Sequence, residues 1–174
     1  EINFPLGWSI FSSYLTLEDM DVAVVLNPIF DNLVIVKDFQ GLAYLPDWAY
    51  NGIGDMILGK SYQVKVLEES NLTLEGEYIL PEDVQILLPL GWSLFGYLRT
   101  EPAACLDVLD EIQSEVIIAK DYLGNAYLPE WNFNGIGDMV AGQAYQLKIN
   151  SDDVLQYLSN DEEYRLASIE VIEN

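Results

Sequence analysis

The chain repeats itself. Residues 4–15 (FPLGWSIFSSYL) are answered by 88–98 (LPLGWSLFGYL), and residues 37–65 by 120–148. In the second pair 18 of 29 aligned positions are identical. This limits the fold more than any local pattern, because both copies must take one shape and each must bury its apolar face alone or against the other. The offset is 84 at Phe4/Leu88 and 83 at Lys37/Lys120, so one residue is missing near Ser12-Ser13, where copy two has only Gly96. The organisation read from this is one module over 1–84 and a second over 85–174. They join at Pro81-Glu82-Asp83, a link short enough that the copies are expected to pack together rather than swing.

Comparing the copies shows what the module needs. The retained residues are mostly Gly, Pro, Trp, Tyr and Asn, the residues of turns and ring packing. The segment at 3–15 alternates and reads as strand, turn, strand. Thr100-Glu101-Pro102, followed by Leu106, Leu109 and Ile112, predicts a short helix over 101–113 with Cys105 on its apolar side. Met20, Ala23, Val24 and Leu26 are its counterpart, which Pro28 ends or distorts. NLVIVKD (32–38) and EVIIAKD (115–121) read as buried strands, turned by the hairpin signals Asp38-Phe39-Gln40-Gly41 and Asp121-Tyr122-Leu123-Gly124. The returning strands stop at Pro46 and Pro129, NGIGD forms a glycine loop, and SYQVKVL and AYQLKIN are the last matched strands. The tails add edge strands, with a short helix expected at 152–159. The fold class is therefore mainly β, an α+β arrangement with one short helix per repeat. Two pseudo-symmetric, small barrel-like or sandwich-like modules are expected to pack together.

Charge narrows the partners. With 29 acidic and 7 basic residues the net charge is −22. Residues 1–84 hold 14 acids and 3 bases, and 85–174 hold 15 and 4, so each copy carries −11 and the acidity belongs to the module. Such a surface repels phosphate backbones and anionic membranes, so no nucleic acid and no membrane insertion is expected. Cations, neutral glycans and basic proteins remain as partners. High acidity also suits a salty medium, where screening weakens self-repulsion. No stretch is long and apolar enough for a spanning helix. The chain starts without Met and without a basic-then-apolar leader, and is read as a portion of a longer protein.

Catalytic signals are scarce. There is no histidine, which removes the commonest general base and transition-metal ligand. The single cysteine, Cys105, can form no internal disulfide and reads as a core residue. No P-loop, dinucleotide or nucleophile-elbow pattern occurs. Asp47 and Glu130, each beside a tryptophan, are the best carboxylates for glycoside chemistry, but among 29 acids some pair always lies at a suitable spacing.

Three candidate sites remain. Tyr44, Trp48 and Tyr50, matched by Tyr127, Trp131 and Phe133, can form a platform for a glycan or a protein surface. The alternative is that Trp48 and Trp131 pack in the cores, as expected more strongly of Trp8 and Trp92. No cofactor is required; Asp38, Asp55, Asp121 and Asp138 are loop acids able to ligate calcium, the most plausible ion for carboxylate and carbonyl oxygens, although the EF-hand pattern is missing and turn-making is the simpler role. Lys37, Lys65, Lys120 and Lys148 survive in both copies, and each is expected to answer a nearby carboxylate.

The pattern LPLGWSLFGY, VIIAKDYLGNAYLPEWNFNGIGD and GQAYQLK, present over roughly 4–66 and 88–149, resembles repeats of large secreted or cell-surface proteins of marine Bacteroidota associated with type IX secretion. The resemblance implies an extracellular or cell-surface location, neighbouring repeats of the same protein, and a non-catalytic module. The function expected is adhesion, binding or spacing within a larger surface or secreted protein. The alternatives are a carbohydrate-binding module attached to a secreted enzyme and, less favoured, a carboxylate hydrolase.

Overall fold

The computed structural model describes residues 1–163. In chain order the first module contains β1 (Ile2–Phe4), β2 (Gly7–Phe11), β3 (Leu15–Leu17), α1 (Val22–Val25), β4 (Leu33–Lys37), β5 (Ala43–Leu45), β6 (Tyr50–Asn51), β7 (Tyr62–Val66), β8 (Ser70–Leu72) and β9 (Gly76–Tyr78). The second contains β10 (Ile86–Leu88), β11 (Gly91–Gly96), β12 (Ala103–Ala104), α2 (Cys105–Val108), β13 (Val116–Lys120), β14 (Ala126–Leu128), β15 (Phe133–Asn134), β16 (Asp138–Met139), β17 (Ala144–Ile149) and β18 (Asp153–Leu155).

Two antiparallel five-stranded sheets dominate, in the orders β2-β7-β4-β5-β6 and β11-β17-β13-β14-β15. The orders match strand for strand, and so does a register shift at the same place in each, between Leu33 and Ile35 and between Val116 and Ile118. Each sheet is lidded by a short ribbon, β1-β8 or β10-β18. The protein is thus mainly β, with its two five-stranded sheets packed together.

Strand alternation sorts the side chains. Phe11, Val36, Tyr44, Tyr62, Val64 and Val66 point into the first core, where Phe4 and Phe11 meet edge-to-face at 5.3 Å. Phe95, Ala119, Tyr127, Tyr145, Leu147 and Ile149 do the same in the second. Ile79 also belongs to the second core, and Leu58 packs against it, so the first half of the chain helps to seal the second module.

The helices are shorter than the apolar spacing implies. Instead of 101–113, α2 spans Cys105–Val108 and a 3-10 turn follows over Asp110–Ile112. Residues 103–104 pair with 138–139 as strand, and this ladder outcompetes the Thr100 cap and the helical turn after it. In copy one Asp21 caps α1 by accepting from the Ala23 N–H at 2.8 Å. Pro28 there opens a 3-10 segment, Asn27–Asn32. The helix expected at 152–159 is absent because Asp153–Leu155 pairs with Ile86–Leu88 as strand. Cys105 is fully buried, and burial pushes its thiol up to about 12.

The modules meet about a pseudo-two-fold axis. The Ser12 N–H donates to the Gly142 carbonyl, and the Gly96 N–H to the Gly59 carbonyl, both at 3.2 Å. The repeat offset converts one bond into the other. Gly59 and Gly142 have φ of +79° and +82°, and a Cβ on them would press on Ile86 and Ile2, again the same contact seen from each side. An interface of this kind uses one patch twice.

Candidate functional site

Two pairs of equivalent surfaces carry most of the exposed aromatic rings and the lysines beside them. The first pair lies at the edge of each sheet farthest from β2 or β11. Pro46–Trp48 and Pro129–Trp131 form 3-10 turns closed by N–H donation from Ala49 to Pro46 and from Asn132 to Pro129, both at 3.0 Å. The residue after each turn is left-handed, with φ of 49° at Ala49 and 48° at Asn132. This throws the tryptophan outward: Trp48 is 82% and Trp131 74% exposed. The alternative that they fill the cores is therefore overturned; the turn, not hydrophobicity, sets their direction.

Tyr50 and Phe133 stand beside them, each about half exposed. Each ring packs against a glycine. A Cβ at Gly52 would sit 2.7 Å from the Tyr50 hydroxyl, and one at Gly135 would sit 2.9 Å from Phe133 Cε1. The loop glycines retained in NGIGD thus leave room for a ring held against backbone. Tyr44 and Tyr127 do not join the platform: both are buried, and Tyr127 accepts a hydrogen bond from the Gln113 amide at 2.9 Å. The exposed set in each module is two rings, not three.

The loop acids build turns. Asp38 Oδ1 accepts from the N–H groups of Gln40 and Leu42 at 2.9 and 2.8 Å. Asp121 Oδ1 accepts from Leu123 and Asn125 in the same way, and its Oδ2 accepts from the Asn125 amide at 2.7 Å. Asp55 is exposed and pairs as an isolated bridge with Asp21. Asp138 is also exposed, in β16, and its charge together with that of Asp110 adds to burial in raising the Asp107 carboxyl above its ordinary value. Among the described residues no three acidic or thiol side chains gather where they could hold a metal ion. Asp47 and Glu130 are exposed on the 3-10 turns.

The second pair of surfaces is a pair of clefts between the modules, with volumes of about 370 and 440 Å³. One is formed by the Lys37–Gly41 hairpin of the first module and the Trp92–Leu94 stretch of the second. The other is formed by Lys120–Gly124 of the second module and Trp8–Ile10 of the first. They are the same site seen from the two sides of the axis. Trp8 and Trp92, expected in the cores, are 44% and 47% exposed here. They occupy the outward positions of the alternation, since Trp8 pairs with Lys65 and Trp92 with Lys148 on the face away from each core.

The lysines lie over these rings. Lys37 Nζ is 4.7 Å and Lys65 Nζ 6.0 Å from the Trp8 centroid; Lys120 and Lys148 stand 5.3 and 5.9 Å from Trp92. The expected carboxylate partners are replaced by cation–π contacts, which the cross-strand register enforces. Sequence reasoning missed this site. Its signal was available, because Trp8 and Lys65 both fall on outward positions of neighbouring strands.

No protein-family model matches this chain, and neither the curated proteins nor the solved structures contain a match to it.

Proposed function

We propose that the chain is a non-catalytic, bivalent binding module of a larger secreted or cell-surface protein, and that it docks on saccharide rings through Trp48 with Tyr50 and Trp131 with Phe133. One observation carries this reading: the same turn presents an almost fully exposed indole in both modules. Leaving so much apolar area in water costs roughly 25 cal/mol per Å² relative to burying it, so two matched instances favour surfaces that are covered on binding. A flat ring fixed on backbone loses little conformational freedom when a pyranose face lies against it. Two such sites on one chain raise avidity toward a repeating polymer without any new contact.

The location and the attachment to neighbouring repeats belong to this proposal, and so does its non-catalytic character, which is favoured by the lack of histidine and the exposed, separate placement of Asp47 and Glu130. A glycan array followed by calorimetry on the best neutral oligosaccharide tests it. Trp48→Ala and Trp131→Ala should each halve the stoichiometry, and the double variant should abolish binding. Binding retained by the double variant overturns the platform. Calcium is tested separately: a bound ion must raise the melting midpoint as its concentration rises, and an unchanged midpoint at millimolar calcium removes it.

A further inference from the structure

The chain has five lysines, and every one has its ammonium within 6.0 Å of the centroid of an aromatic ring in the inter-module clefts. Lys60 completes the set, 5.8 Å from the ring of Phe39. In a protein of net charge −22, the ammoniums thus stand by the rings of the two clefts, and Lys37 and Lys120 line the clefts themselves. None of the five forms an ion pair among the described residues. The carboxylate in each cleft, Asp38 or Asp121, is held by turn N–H groups. The clefts also present the amides of Gln63 and Gln146, and their volumes lie in the range of small-ligand sites.

We infer that the paired clefts bind an anionic saccharide, one whose sugar rings carry carboxylate or sulfate groups. The sugar ring packs on Trp8 or Trp92, its acidic group meets Lys37 or Lys120, and the glutamine amides take its hydroxyls. Charge decides between this and a neutral ligand. An ammonium over an indole has exchanged water for a weakly attractive ring face, so it keeps donors free for an oxygen anion that approaches from the cleft. The surrounding acidic surface repels polyanions at a distance but is screened beyond about 8 Å at physiological ionic strength, whereas contacts inside the cleft are not. Binding is therefore selective for an anion that fits. The site is separate from the edge platforms and does not rest on them.

The test is calorimetric titration of the full chain carrying Trp48→Ala and Trp131→Ala, in which the edge platforms are silent, with a uronate trisaccharide, a sulfated trisaccharide and a neutral trisaccharide, with tryptophan emission followed in parallel. At least one acidic sugar should bind and shift the emission, and the neutral one should not; the two acidic arms show whether carboxylate or sulfate is preferred. Lys37→Gln and Lys120→Gln, which keep the stems over the indoles, should each weaken binding by about tenfold or more. Melting midpoints of the lysine variants within a few degrees of the parent show that the fold is intact; if they fall further, Lys37→Arg and Lys120→Arg, which retain the charge, should retain binding. The inference is overturned if neither acidic sugar binds, if the neutral sugar binds equally well, or if binding survives the lysine-to-glutamine double variant.

Discussion

At the scale of single residues, the two copies differ where their environments differ. Asn132 and Ala49 occupy the same left-handed position, φ of 48° and 49°. Asn tolerates that conformation, whereas alanine's Cβ is strained by it. Ala49→Gly should stabilise the protein by about 1 kcal/mol, read as a rise in the urea midpoint at constant slope. Gly96 makes the opposite point. Its φ is not left-handed, yet a Cβ there would lie 2.0 Å from Ser12 Oγ. Gly96→Ala should therefore cost about 1–3 kcal/mol through overpacking, and the added Ser12→Gly should recover part of the loss; equal stability of the single and double variants by chemical denaturation would refute the contact. The Ser12 hydroxyl is itself buried without a hydrogen-bond partner among the described residues, so it adds no compensating bond.

At the scale of elements, α2 couples the second core to pH. Burial raises the Cys105 thiol from an ordinary value near 9 to about 12. The folded value lies above the unfolded one, so the stability this group contributes is whole below pH 9 and drains away as pH rises toward 12. Tyr145, raised mainly by burial, acts in the same direction. Cys105→Ala should flatten the alkaline limb of a melting-point profile, although it also opens a small cavity. In the native protein Cys105 should resist alkylation until the fold opens. Asp107 is raised by burial and by Asp110 and Asp138, so its charged form opposes folding. Asp107→Asn should raise the midpoint at neutral pH, and the gain should vanish as pH falls below the ordinary carboxylate range.

These elements also show how far the sequence could be read. The strands at 33–37 and 116–120, the hairpins after Asp38 and Asp121, and the buried cysteine were legible because periodicity and turn chemistry act locally. The helix extent was not, because β12 and β18 form by pairing with strands remote in sequence. Nor was the direction of Trp8 and Trp92, while for Trp48 and Trp131 an outward platform and a core position both stayed open. A single left-handed residue turns Trp48 and Trp131 outward, and the register of β2 with β7 sets Trp8 over lysines rather than in the core. Hydrophobicity alone points every indole inward.

At the scale of the whole molecule, the net charge of −22 sets the response to salt. Raising ionic strength from 0.1 to 1 M shortens the screening length from about 10 to about 3 Å. The melting midpoint should climb over that range in sodium chloride and then level; a falling midpoint in calorimetry would mean that the lysine–indole contacts outweigh the acidic repulsion. The two modules share a seam, because Leu58 and Ile79 tie the first half of the chain to the second core.

The meeting of Ser12 with Gly96 has a consequence for how such a chain can change. On a true two-fold axis a residue faces its own copy, and any side chain added on one side is added on both. Fusing the copies in one polypeptide lifts that constraint: one side can keep a hydroxymethyl group while the other yields the space. The same freedom extends to the two clefts, whose linings can diverge while the seam between them stays closed.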